Sequence, residues 1–256
     1  MDLRVTIVQT ALHWQDAEAN RRMFSAKLAA AAPATDLLVL PEMFTTGFSM
    51  NAPELAEEAE GATLAWMQQQ AQQHQAVVTG SVIVQENGHY YNRLLWVRPD
   101  GSYEKYDKRH LFRMAREHHT YAPGRERLVV ELKGWNICPL VCYDLRFPVW
   151  SRNAGSSYDL LLYVANWPKA RNLAWRTLLQ ARAIENLAYV VGVNRVGTDG
   201  NGHPYSGDSA IIHPKGTTLL ETAEAEGIHT LLLHKQELDD FRAAFPAHLD
   251  ADTFSL

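Results

Sequence analysis

The chain of 256 residues is 46% hydrophobic and 21% charged, with a formal net charge of -5, the profile of a globular protein long enough for one large core or two small ones. That balance excludes a global basic face for nucleic acid or anionic membrane, and no apolar run approaches the roughly 18 to 20 residues of a membrane span. Two cysteines make no disulfide framework, and the opening "MDLRVTIVQT" lacks the features of a signal peptide, so the cytoplasm is the expected setting.

In chain order, "RVTIVQTAL" reads as a strand, and Asp16 as the N-cap of a helix over "AEANRRMFSAKLAAAA". "DLLVLPE" is a near-continuous apolar run, the mark of a strand covered on both faces. A helix over "GATLAWMQQQAQQH" leads to the strands "AVVTGSVIVQ" and "YYNRLLWVR", which are separated by the turn "ENGH". "ERLVVEL" and "WNICPLVCYD" follow, then a short helix after Pro148 and the strand "YDLLLYVAN". The helix "AWRTLLQARAIENL", the strands "AYVVGVNRV", "SAIIHP", "TTLLET" and "GIHTLLLH", and a helix near "KQELDDFRAAF" complete the pattern. Residues 43–60, 104–125 and 197–208 carry no clear periodicity and read as long loops, which are often functional. The alternation predicts a single layered α/β domain.

Two residues stand where buried strands end. Glu42 closes "DLLVLP", and ligand crevices of open α/β sheets lie outside the carboxyl ends of strands; a poorly hydrated carboxylate there suits general-base work. The plainer alternative is a helix cap or a loop acid paired with arginine. Cys142 ends another apolar run and is followed at once by "YDLRFP", the layout of a nucleophile on a sharp strand-to-helix turn. Cys138 lies mid-run and reads as a core thiol. Four strand residues at about 3.3 Å each hold the two sulfurs roughly 13 Å apart, so both thiols are expected to be free.

Other candidates are weaker by themselves. Lys108 sits among the charges of "YEKYDKRHLF" and reads locally as a surface lysine. "REHH" offers Glu117 with His118 and His119, too few ligands for a metal motif and better read as a hydrogen-bonding loop acid. "GTDGNGH" opens no helix and makes a poor phosphate loop. Asn166 and Trp167 of "ANWP" could wall a pocket, whereas Tyr90, Tyr91, Trp96, Trp135 and Trp150 read as packing. Eleven histidines leave a Cys–His pairing open. A thiol, a base and a cation together suggest acyl transfer through a thioester.

Taken in order, "LVLPEMFTTGF", "YDKRHLF" and "LVCYDLRFP" resemble the glutamate, lysine and cysteine motifs of the nitrilase superfamily of carbon–nitrogen hydrolases. "VTIVQ", "EHHTYAPG", "YVANWP" and "QARAIENLAYVVGVNRVG" extend the resemblance over nearly the whole chain. "FTTGF", "CYDLRFP" and "ANWP" are similar to the ω-amidase branch, whose bacterial members act on α-keto acid amides such as 2-oxoglutaramate. The resemblance implies Glu42 as general base, Cys142 as nucleophile, Lys108 and the backbone N–H of Tyr143 as oxyanion donors, and Glu117 as the glutamate that positions Lys108 or the substrate. It also implies a four-layer α-β-β-α sandwich and no cofactor or metal. A homodimer is implied as well, paired through helices beside the active site, with a C-terminal segment (about 227–256) crossing over. Arg146 and Arg171 are the expected holders of a substrate carboxylate, with Phe48, Asn166 and Trp167 as pocket walls. A nitrilase or N-carbamoyl-amine hydrolase on the same three residues is the alternative. One departure is Pro139, which lacks an N–H in a strand expected to be interior.

Overall fold

The structure, a computed structural model, describes residues 1–252. In chain order its elements begin with β1 (Leu3–Gln9), α1 (Ala17–Ala31), β2 (Leu37–Val39), α2 (Ala52–Leu55), β3 (Glu57–Glu58), α3 (Ala62–His74), β4 (Val77–Glu86), β5 (His89–Val97) and β6 (Tyr103–Asp107). They continue with α4 (Glu117–Thr120), β7 (Val130–Leu132), β8 (Trp135–Val141), α5 (Pro148–Ser151), β9 (Leu160–Val164), α6 (Asn172–Asn186), β10 (Tyr189–Val193), β11 (Val196–Thr198), β12 (Pro204–Ile212), β13 (Thr218–Ala223), β14 (Gly227–Leu233) and α7 (Lys235–Ala244). As its sequence position implies, Asp16 caps α1 by accepting the Ala19 N–H at 2.9 Å.

The described strands form two seven-stranded sheets. One runs β14-β1-β2-β4-β5-β6, with β3 beside β4; the other runs β11-β12-β10-β9-β8-β7, with β13 beside β12. The apolar run at β2 is continuous because both faces are covered. Leu37 and Val39 join the core shared with Ile137, Leu140 and Leu162 of the second sheet. Leu38 and Leu40 pack with Phe24 and Leu28 of α1 and Leu64 and Met67 of α3. Across the second sheet lies α6, through Trp175, Leu179 and Ala183. A Cβ at Gly192 of β10 would meet Leu179 at 2.5 Å, so glycine there lets α6 sit close on the sheet. The result is the expected α-β-β-α order.

Pairing partners correct several expectations. Residues 103–107 carry no strand pattern of their own, yet they form β6 because β5 offers an open edge, with Leu94 opposite Tyr106. Likewise 204–208 belong to β12, paired with β11 as a hairpin, and 43–60 contain α2 and β3. Pro139 fits because β7 reaches only as far as Ile137. Beyond that point β8 is paired on one side only, by β9, so a missing N–H costs no ladder bond on the free side. Within the 227–256 segment expected at the dimer interface, "GIHTLLLH" forms β14 and pairs in cis with β1, from Leu3 opposite Leu233 to Gln9 opposite Gly227. The end of that 227–256 segment, 253–256, lies outside the described residues. No described helix is long and apolar enough to cross a membrane.

Candidate active site

Four strands deliver polar side chains to one edge. β2 is followed by Glu42, β6 by Lys108, β8 by Cys142 and β9 by Asn166. β2 and β4 are parallel, and the reversals through β5 and β6 restore that direction. Glu42 and Lys108 therefore emerge at the same end of the first sheet. β8 and β9 are parallel in the second sheet, which brings Cys142 and Asn166 to meet them.

Cys142 opens a short 3-10 turn, Cys142–Arg146, and takes φ +45, a left-handed conformation that costs a residue with a Cβ about 1–2 kcal/mol. Asp144 holds the turn. Its buried carboxylate accepts the Val141 N–H at 3.0 Å, the Tyr106 hydroxyl at 2.7 Å and the His110 N–H at 2.9 Å.

Beside the thiol lies a fully buried cluster of charges. Lys108 Nζ donates to Glu42 Oε1 at 2.9 Å and to both oxygens of Glu117 at 3.0 Å. Glu42 Oε2 accepts the Asn166 N–H at 2.8 Å, and Glu117 Oε2 accepts the Phe112 N–H at 2.5 Å. Asn92 Nδ2 spans the two carboxylates, 2.8 Å from Glu42 Oε1 and 3.3 Å from Glu117 Oε1. Ser81 orients that amide by donating to its Oδ1 at 2.8 Å.

Burial lowers the pKa of an ammonium, but the Glu117 and Glu42 carboxylates outweigh burial and raise that of Lys108. Burial raises Glu117 against the pull of Lys108. Burial, then the neighbouring Glu42 carboxylate, pushes the Cys142 thiol well above its ordinary value, with Lys108 opposing. The resting thiol is therefore neutral and needs a base beside it to become a nucleophile. The charged groups bearing on it are two carboxylates and an ammonium, Glu42, Glu117 and Lys108.

The thiol opens into a cleft of about 470 Å³. Of the residues expected there, Phe48, Lys108, Cys142, Tyr143, Arg146, Asn166, Trp167 and Arg171 line it, while Glu42 and Glu117 stand behind the wall, fully buried. Arg146 stacks over Trp167 at 5.0 Å and Arg171 over Phe112 at 5.2 Å. His119 is exposed while Glu117 faces inward to Lys108, so "REHH" does not converge on a common point. Sequence reasoning missed Asn92 and the wall made by Trp14, Asp199 and Tyr205. Asn92 left one trace, an amide in the middle of β5, just ahead of the apolar run Leu94–Val97.

A thiol, a carboxylate and an ammonium gathered at the sheet ends of a four-layer sandwich describe a nitrilase-like hydrolase. The chain belongs to the carbon–nitrogen hydrolase family, whose model matches residues 4–243. It is 50% identical over 256 residues to the ω-amidase YafV of Escherichia coli (strain K12), covering 99% of this chain and 98% of that one. It is 37% identical over 219 residues to a 2-oxoglutaramate amidase of Bacillus subtilis (strain 168), covering 84% of each. The crystal structure of a CN-hydrolase superfamily protein from Xanthomonas campestris superposes with a TM-score of 0.98 at 50% identity, covering 100% of this chain and 99% of that one.

Proposed function

We propose that this protein hydrolyses the terminal amide of a small α-keto acid amide, of the 2-oxoglutaramate or 2-oxosuccinamate kind, to the dicarboxylate and ammonia. The observation that carries the proposal is the contact of Glu42 with Lys108 at 2.9 Å beside a neutral Cys142 thiol at the wall of the cleft. Likeness to an ω-amidase and a 2-oxoglutaramate amidase supports the choice of substrate.

Glu42 takes the thiol proton as sulfur attacks the amide carbonyl. Lys108 and the backbone N–H of Tyr143 hold the oxyanion. Glu117 keeps Lys108 in place through two bonds. When the tetrahedral adduct collapses, the C–N electron pair leaves with nitrogen, which takes the proton from Glu42, and an acyl-thioester remains on Cys142. Glu42 then activates water to release the acid. Arg146 and Arg171, each seated on an aromatic ring and free of carboxylate partners among the described residues, offer guanidinium groups to the distal carboxylate. Phe48, Asn166 and Trp167 wall the acyl chain.

The protein works in this reading as a cytoplasmic homodimer. The helices beside the site support the pairing, since Val149 of α5 and Leu173 and Ile184 of α6 are all more than half exposed, at 56%, 77% and 51%.

Ammonia release from a panel of small amides, nitriles and N-carbamoyl amines tests the proposal. Keto acid amides are expected to lead the panel, and Cys142→Ala to be silent. Activity surviving the substitution would remove the thioester route, and faster turnover of nitriles or N-carbamoyl amines would replace the substrate class.

A further inference from the structure

We infer that Asn166 selects amides, by accepting a hydrogen bond from the substrate's NH2 group at its side-chain Oδ1. The inference rests on the function proposed above and adds a specificity determinant to it. Asn166 is 4% exposed and lines the cleft with Cys142. Two of its polar groups are committed to one residue: the backbone N–H donates to Glu42 Oε2 at 2.8 Å, and Nδ2 donates to the Glu42 backbone carbonyl. A carbonyl oxygen can only accept, so the amide cannot be flipped, and the remaining atom of its head is an oxygen. Among the described residues that buried Oδ1 finds no donor. A buried acceptor left unpaired carries a cost comparable to a lost hydrogen bond, and such a group in a native fold calls for an explanation.

The chemistry supplies one. The substrate's carbonyl carbon must come to Cys142, and its nitrogen must face Glu42, which hands over the proton. Glu42 Oε2 lies 2.8 Å from the Asn166 backbone nitrogen, so a nitrogen that reaches this carboxylate arrives beside Asn166. A primary amide brings two N–H groups, and one of them can satisfy Oδ1. When the C–N bond breaks and nitrogen takes the Glu42 proton, the departing ammonia still has an N–H for the same oxygen. An ester presents lone pairs at that point and a nitrile has no N–H, so both would leave the acceptor unpaired.

The test compares 2-oxoglutaramate with the γ-methyl ester of 2-oxoglutarate, in wild type and in Asn166→Ala. The readout is the ratio of kcat/KM for amide to that for ester. Loss of the acceptor is expected to lower that ratio roughly ten- to a hundredfold. A substitution that merely loosened Glu42 would slow both substrates alike, so an unchanged ratio overturns the inference. Asn166→Ser, polar but too short to span both partners, carries the same comparison should alanine not fold. A wild type silent on every amide would sink the proposed function and this inference together. A wild type active on amides, with variants that keep its ratio, overturns the inference alone.

Discussion

Lys108 is 1% exposed and surrounded by acids, the opposite of the surface lysine that its charged neighbourhood suggests. The role of oxyanion donor proposed for it gives a direct expectation. Lys108→Met should lower turnover by a factor on the order of 10²–10³ or more, as loss of an oxyanion donor does, in an assay of kcat on the best amide. The substitution also removes the positive charge that opposes the rise of the Cys142 pKa, so alkylation of Cys142 by iodoacetamide should slow at every pH. In wild type that alkylation should quicken as pH rises and the thiol ionises. Cys138, fully buried and pushed up to about 12 by burial, should stay unmodified. Peptide mass spectrometry separates the two sites. Glu42 and Cys142 were legible in the sequence because an apolar run that stops at a polar residue marks a strand end. Lys108 and Glu117 were legible only through family resemblance, since a charge buried by remote chain looks locally like any other charge. Asn92 was not legible, because its meaning lies in two carboxylates 50 and 25 positions away.

At the scale of elements, β6 is the strand that presents Lys108, and it is held by a clamp across three strands. Arg93 of β5, 2% exposed, donates to Asp107 at the end of β6 at 2.7 and 2.9 Å and to Glu86 of β4 at 2.9 Å. Hydrogen bonds from Arg93 and then Lys105 hold Glu86 down at a pKa of about 2. A carboxyl lowered by folding contributes stability above its unfolded pKa of about 4.3, and that contribution is lost as pH falls through its folded value. Glu86→Gln should therefore destabilise the protein by roughly 1–3 kcal/mol near pH 7. The difference from wild type should shrink between about pH 4.5 and pH 2, as read by urea unfolding at each pH. The clamp also explains why β6 was not visible in advance. "YEKYD" has no apolar alternation, and its strand conformation is imposed by the edge of β5 and by ion pairs across it.

The whole molecule is a sandwich whose two sheets share one core while the outer faces carry helices. The exposed Val149, Leu173 and Ile184 lie on the outer layer of the second sheet, and the proposed homodimer would cover them. Light scattering coupled to size exclusion is expected to give twice the chain mass of 28.9 kDa, and Leu173→Glu is expected to shift that mass toward the monomer. A wild type at 28.9 kDa would remove the dimer from the reading. The C-terminal strand is already committed within its own chain, where β14 closes the edge of the first sheet against β1.

The sequence by itself determined the layered α/β class, the order of strands and helices along most of the chain, and two reactive groups at strand ends. These follow from local causes, namely apolar periodicity, capping and turn residues, which act within a few positions. Only the tertiary structure decided which strand ends meet, that Lys108 is enclosed between Glu42 and Glu117, and that Pro139 lies beyond the reach of β7. Each of these depends on pairing between segments far apart in the chain, and burial, hydrogen-bond partners and charge balance exist only once those segments have come together.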